Sequence, residues 1–195
     1  MKKLFLLIII LLTNFGIIAC APFANKKATI TAQQLAQDRR TREIILSDQE
    51  IESDAYSELD SDNKIKKLCH ININAYNGAT LITGEAPTEE LKAKIISLVQ
   101  VIDNVKMVHD NVKIAKPSSQ ESQSNDQFIT QTVKTALKQI RTLPDFDPAM
   151  IKVVTENGVV YLMGLVHRDE GTVVINVTKL QPNIRQIITV FEYAD

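Results

Sequence analysis

One short pattern occurs twice in this chain of 195 residues, and it limits the fold more than any other feature. The first copy reads Ile73-Asn74-Ala75-Tyr76-Asn77-Gly78, followed by Leu81-Ile82-Thr83-Gly84. The second reads Val153-Val154-Thr155-Glu156-Asn157-Gly158, followed by Tyr161-Leu162-Met163-Gly164, so both glycines return 80 residues later. Asn-Gly between two alternating runs predicts a β-hairpin, because a type I′ turn needs φ > 0 at both central residues. The alternation agrees. Ile71, Ile73 and Ala75 share one face, as do Ile151, Val153 and Thr155. Self-similarity at this period predicts a duplicated unit.

Each hairpin leads into a helical stretch and a closing strand. Thr88 is placed to cap a helix over 89–101, with Leu91, Ile95, Leu98 and Ile102 on one side; Asn104 and a β-rich run over 105–114 follow. In the second copy, 168–180 carries Val173, Ile175, Val177 and Leu180 and stops before Pro182, and 184–193 closes the unit. A further helix precedes each hairpin, over 48–59 and 126–140, the second opened by Ser124 and Gln127 as a capping box. The fold class is therefore α+β: two tandem α-β-β-α-β domains, each a three-stranded mixed sheet packed on two helices. Residues 115–125, rich in Ser and Gln and holding Pro117, read as the linker between domains over 41–114 and 126–195. Domains of roughly 70 residues bury modest cores, so the halves are expected to need each other or a surface.

The N-terminus carries a different kind of signal. Lys2 and Lys3 precede an unbroken apolar run over 4–12, too short to span a bilayer stably, and the run closes on Ile17-Ile18-Ala19-Cys20. An aliphatic residue three positions before a Cys and a small one beside it resemble a lipobox. That motif implies removal of a signal peptide over 1–19 and lipidation of Cys20. Ala21 rather than Asp then favours the outer membrane, and residues 20–40 read as a lipidated flexible tether. Two or more acyl chains give a stable anchor where one gives a marginal one. Formal net charge is −1, and two units more negative once Lys2 and Lys3 are removed. With no long basic block, nucleic acid is excluded as a partner. Only Cys69 remains beside Cys20, so no intramolecular disulfide is expected after lipidation.

No catalytic constellation stands out. His70, His109 and His167 show no pairing at metal-ligand spacing, and Cys69 alternates with Ile71 and Ile73 as a small core residue would. No glycine cluster opens a helix as a phosphate loop requires. The reading is a chain that is not an enzyme, with no cofactor, no metal and no small-molecule substrate.

The two leading helices differ. Over 48–59 the first has five acids and no base; over 126–141 the second has Lys134, Lys138 and Arg141 against Asp126. Near an anionic lipid surface each charge counts for about 1 kcal/mol, so only the second suits such a surface. On a helical wheel Ile129, Val133, Ala136, Leu137 and Ile140 form the core stripe. Phe128 falls off that stripe, in the first turn, among Gln131, Thr132, Thr135 and Gln139. The alternative use of Phe128 is to staple the helix start or to pack on the first domain.

The doubled α-β-β-α-β order, with Gly-x-x-x-x-x-Gly across the second strand and a lipobox ahead of it, resembles the tandem BON-domain outer-membrane lipoproteins. The resemblance covers nearly all of the mature chain, most closely over 71–76, 124–133 and 153–166. It implies a periplasm-facing, lipid-anchored protein that binds anionic phospholipid through the first helix of its second domain. It also implies a part in envelope integrity, with the division site as a place of action. Phe128 stands where that family has an inserting Trp, and Lys138 replaces a Leu. The expected phospholipid site is Phe128, Gln131, Lys134, Thr135 and Lys138. The competing expectation is a protein adaptor for outer-membrane assembly or peptidoglycan-remodelling machinery, favoured by the acid-rich stretch over 48–62.

Overall fold

The computed structural model describes residues 38–194. The expected signal peptide, Cys20 and most of the tether lie outside the described residues. Both halves belong to one compact unit. The first runs α1 (Arg42–Ser61), α2 (Asn63–Leu68), β1 (His70–Tyr76), β2 (Ala79–Ala86), α3 (Glu89–Gln100) and β3 (Met107–Ile114). The second runs α4 (Gln120–Leu137), β4 (Ile151–Glu156), β5 (Val159–Val166), α5 (Arg168–Lys179) and β6 (Gln186–Tyr193), with a single 3₁₀ turn at Pro148–Met150.

Each sheet has its hairpin strands antiparallel and its last strand parallel to the second: β1-β2-β3 and β4-β5-β6. A parallel neighbour cannot be reached by a tight turn, so α3 and α5 supply the crossovers. Asn77 and Gly78 have φ of 51° and 78°, and Asn157 and Gly158 have 51° and 73°, which is the backbone that Asn-Gly predicts. Gly84 is fixed for a different reason. Its φ is 112°, and a Cβ there would stand 2.0 Å from the carbonyl oxygen of His70 across the strand pair.

Two apolar cores form, one per domain. Ile51 is buried beside α1's cluster of Ala55 and Leu59, which packs on Ile73, Ile82, Ile95 and Val99; Ile129, Val133 and Leu137 of α4 pack on Val153, Val160, Leu162 and Val174. A third cluster, Tyr76, Leu81, Tyr161 and Met163, joins the outer faces of the two sheets. So the halves support each other through a dry contact. Around it, Tyr76 Oη donates to the Met150 carbonyl at 2.9 Å, Lys152 pairs with Glu52, and Asn72 Nδ2 donates to Glu156 at 2.7 Å.

Three boundaries differ from the sequence reading. α4 begins at Gln120, inside the expected linker, because Ser119 Oγ accepts from Ser122 N at 3.2 Å and nothing between 119 and 126 breaks a helix. Ser124 is therefore no cap; its hydroxyl donates to the Gln120 carbonyl at 2.8 Å, and Phe128 lies well inside the helix rather than in its first turn. α1 likewise starts six residues before the expected 48, capped by Thr41. The end of the expected tether is held. Arg39 makes two bonds to Glu170, at 2.6 and 2.7 Å, and Arg40 reaches Asp48 at 2.7 Å while stacking 3.6 Å over the Tyr76 ring.

Candidate functional site

α4 buries Asp126, Ile129, Val133 and Leu137 and turns the rest of its circumference outward. Phe128 is 58% exposed, against 0% for Ile129 beside it. Its ring lies over a shallow apolar depression of about 350 Å³ lined by Gln131, Thr132, Thr135, Ala136, Gln139 and, from the end of α5, Gln181. The expected site thus divides. Phe128, Gln131 and Thr135 share this depression. Lys134 points instead towards a second hollow between the domains, which Gln131 also borders. Lys138 is the C-cap of α4, outside both.

Lys134 makes no ion pair among the described residues. Its pKa is lowered by crowding from the surrounding protein and by the like charges of Lys152 and Lys138. Lys152 belongs to β4 and is paired with Glu52, so the cations that α4 itself brings to its C-terminal end are Lys134 and Lys138.

Sequence reasoning missed the role of two aspartates. Asp126 is buried, and its oxygens accept from Asn157 N and Gly158 N, both at 2.7 Å. Asp48 does the same for Asn77 N and Gly78 N, both at 2.8 Å. Each leading helix is thereby locked to its own hairpin turn. The signal was present: Asp48, Ile51, Ala55 and Leu59 match Asp126, Ile129, Val133 and Leu137 in spacing.

It also missed a polar knot between the domains. His70 Nδ1 lies 3.2 Å from Glu85 and 3.7 Å from Glu156, and the three ligand-type atoms fall within 4.8 Å of one another. Both carboxylates are buried, at 2% and 5% exposure, and both are already served by the protein. Glu85 accepts from Asn157 Nδ2 and from Ser118 N, and Glu156 accepts from Asn72. Burial raises the Glu156 pKa, with Glu85 and Asp126 adding to it against the lowering effects of Asn72 and His70. No separation along the chain announces this group, since its members come from β1, β2 and β4. Cys69 is half-buried against the first core, and burial raises its thiol pKa, so it is no activated nucleophile.

The BON domain family matches residues 47–116 and 125–195, more than half of the chain. The chain belongs to the BON family. Its two copies give the tandem α-β-β-α-β arrangement described above, and the BON chain shows no catalytic motif among its described residues. It is 26% identical over 164 residues to a Haemophilus influenzae protein named outer membrane lipoprotein DolP, covering 84% of this chain and 83% of that one. It is 25% identical over 156 residues to a 21 kDa hemolysin of Actinobacillus pleuropneumoniae, covering 80% and 79%. Among solved structures it resembles the C-terminal domain of CdsD, a structural protein of the Chlamydia trachomatis type III secretion system. That likeness covers 71% of this chain and 94% of that one at 14% identity and a TM-score of 0.30, too slight to bear on function. No helix of the described residues is long and apolar enough to cross a membrane.

Proposed function

We propose that this tandem BON chain is a periplasm-facing outer-membrane lipoprotein, anchored through Cys20, that binds anionic phospholipid through α4. It supports envelope integrity, with the division site as one place of action. The observation that carries the reading is the exposed Phe128 ring over an apolar depression, on a leading helix that brings Lys134 and Lys138 to its C-terminal end. Burying a Phe side chain is worth about 1.5–3 kcal/mol, enough to hold a helix face at a bilayer surface when cations add attraction to phosphate. The lipobox at Cys20 and the kinship with a protein named an outer membrane lipoprotein support the location.

The adaptor reading rested on the acidic first helix. Two of that helix's acids are spent inside the molecule, Asp48 on a hairpin turn and Glu52 on Ala75 N and Lys152. Flotation of a chain of residues 21–195, which lacks both the apolar signal segment and the acyl anchor, tests the lipid reading. Vesicles of anionic phosphatidylglycerol should carry it upward, and vesicles of zwitterionic phosphatidylcholine should not. Equal flotation, or none with either lipid, would reject it.

A further inference from the structure

The duplicated fold allows the two domains to be compared position by position. Asp48 and Asp126 each hold the Asn-Gly turn of their own hairpin through the same two bonds, so α1 and α4 align on them. Glu50 then corresponds to Phe128, Asp54 to Thr132 and Glu58 to Ala136. The crossover helices align on their N-caps, Thr88 and His167. Both run for 12 residues, so their C-caps, Val101 and Leu180, correspond as well. In each domain a hollow opens where the leading helix meets the end of the crossover helix.

The two hollows differ in what borders them. The first has a volume of about 290 Å³, and Asp54, Glu58 and Asp103 line it together with Val101. The second is the depression beside Phe128, where Thr132 and Ala136 stand in place of Asp54 and Glu58 and no charged residue contributes to the lining. Asp103 gives way to Pro182, and Gln100 to Lys179. Leu180 is next in the chain to Gln181, which lines this neutral hollow. At 82% exposure its side chain is more open than any other large apolar side chain among the described residues. The backbone beneath it is closed: Leu180 N donates to the Val177 carbonyl at 3.3 Å, Gln181 N to the Thr178 carbonyl at 3.0 Å, and Gln181 Nε2 to the Val177 carbonyl at 2.9 Å. Exposure by itself does not mark a contact, because Val101 is 79% exposed at the matching position. The surroundings do. An anionic lipid surface repels the carboxylates around Val101, whereas an uncharged hollow flanked by Phe128, Leu180 and Lys179 suits it.

We propose that Leu180 enters the bilayer together with Phe128, so that the lipid-binding face is a two-point contact built from α4 and the end of α5. The inference rests on the lipid reading proposed above and extends it to a second element. α4 and α5 pack side by side, so both side chains belong to one rigid surface. Two apolar anchors on separate helices fix the tilt of the molecule at the membrane, which a single ring leaves free to rock. Lys179 is exposed beside Leu180, and its long stem lets the ammonium group stay among headgroup phosphates while the leucine is buried.

The chain contains no Trp, so one introduced by substitution reports on its own position alone. Leu180→Trp, Phe128→Trp and Val101→Trp, each in the chain of residues 21–195, are mixed with phosphatidylglycerol vesicles whose acyl chains carry bromine, a contact quencher. Leu180→Trp and Phe128→Trp should shift their emission to the blue and be quenched; Val101→Trp should do neither. Leu180→Gln, which removes the apolar surface without adding charge, should weaken flotation with phosphatidylglycerol vesicles about tenfold. Its melting temperature should match the parent's, because the side chain it replaces is exposed. Quenching of Phe128→Trp but not of Leu180→Trp, or full binding by Leu180→Gln, would overturn the proposal and leave the lipid reading standing. Quenching of neither would overturn both. Quenching of Leu180→Trp alone would leave a one-point contact and overturn the proposal as well. Equal quenching of Val101→Trp would do the same, because exposure alone would then carry a ring into the bilayer.

Discussion

Glu156 places a buried, titratable carboxyl in the joint between the domains. Its carboxyl is buried in the knot with His70 and Glu85, and burial raises its pKa above the usual carboxylate value. Such a group holds its proton more tightly folded than unfolded. The folded state is therefore favoured below the unfolded pKa, and that contribution is lost as pH rises through the folded one. Glu156→Gln keeps an acceptor for Asn72 and removes the titration. Its melting temperature relative to wild type should be lowest near pH 4 and should climb in the variant's favour towards neutral pH. A deficit that grows towards neutrality would mean that attraction to His70 outweighs burial, and one that stays constant with pH would mean that the two cancel; either would contradict the raised pKa.

At the scale of elements, the second domain's leading helix depends on one aspartate more than on its apolar stripe alone suggests. Asp126→Ala would leave the buried Gly158 N and the half-buried Asn157 N without their acceptors, at a cost of roughly 3 kcal/mol. Chemical denaturation should register that loss, while Ser124→Ala, at a position expected to cap the helix and found not to, should change stability by no more than about 0.5 kcal/mol. Near-equal effects would contradict the turn-locking role. The same helix marks where the sequence was and was not legible. Hairpins, crossovers and closing strands were readable because Asn-Gly turns and alternating runs are local signals. Thr88 caps α3 as expected, accepting from Leu91 N at 3.2 Å. The start of α4 was not readable, because Ser119 and Ser124 are equally good caps by composition. The short helix α2 went unexpected, since Asp62 accepting from Lys64 N and Ile65 N starts it within a run that looks like a loop. His70, Glu85 and Glu156 meet only through tertiary structure, and so does the division of the expected lipid site, where Lys134 turns to the cavity and Phe128 to the surface.

For the whole molecule, the domains share a dry contact built on Tyr76, Leu81, Tyr161 and Met163, and the Arg39 clasp on Glu170 holds the start of the first domain to the second. That joint presents the outer face of α4 as part of one body rather than of a free domain. The proposed function requires that this face enter an anionic bilayer through Phe128. The direct measurement is vesicle flotation of Phe128→Glu beside Val101→Glu, a control at a 79% exposed position in the first domain, both in the chain of residues 21–195. Losing the buried ring forfeits about 1.5–3 kcal/mol, and the new carboxylate adds repulsion of about 1 kcal/mol. Phe128→Glu should therefore weaken binding to phosphatidylglycerol vesicles at least tenfold with its melting temperature unchanged, and Val101→Glu should bind as the parent does. A folded Phe128→Glu chain that binds these vesicles at full strength would contradict insertion through Phe128.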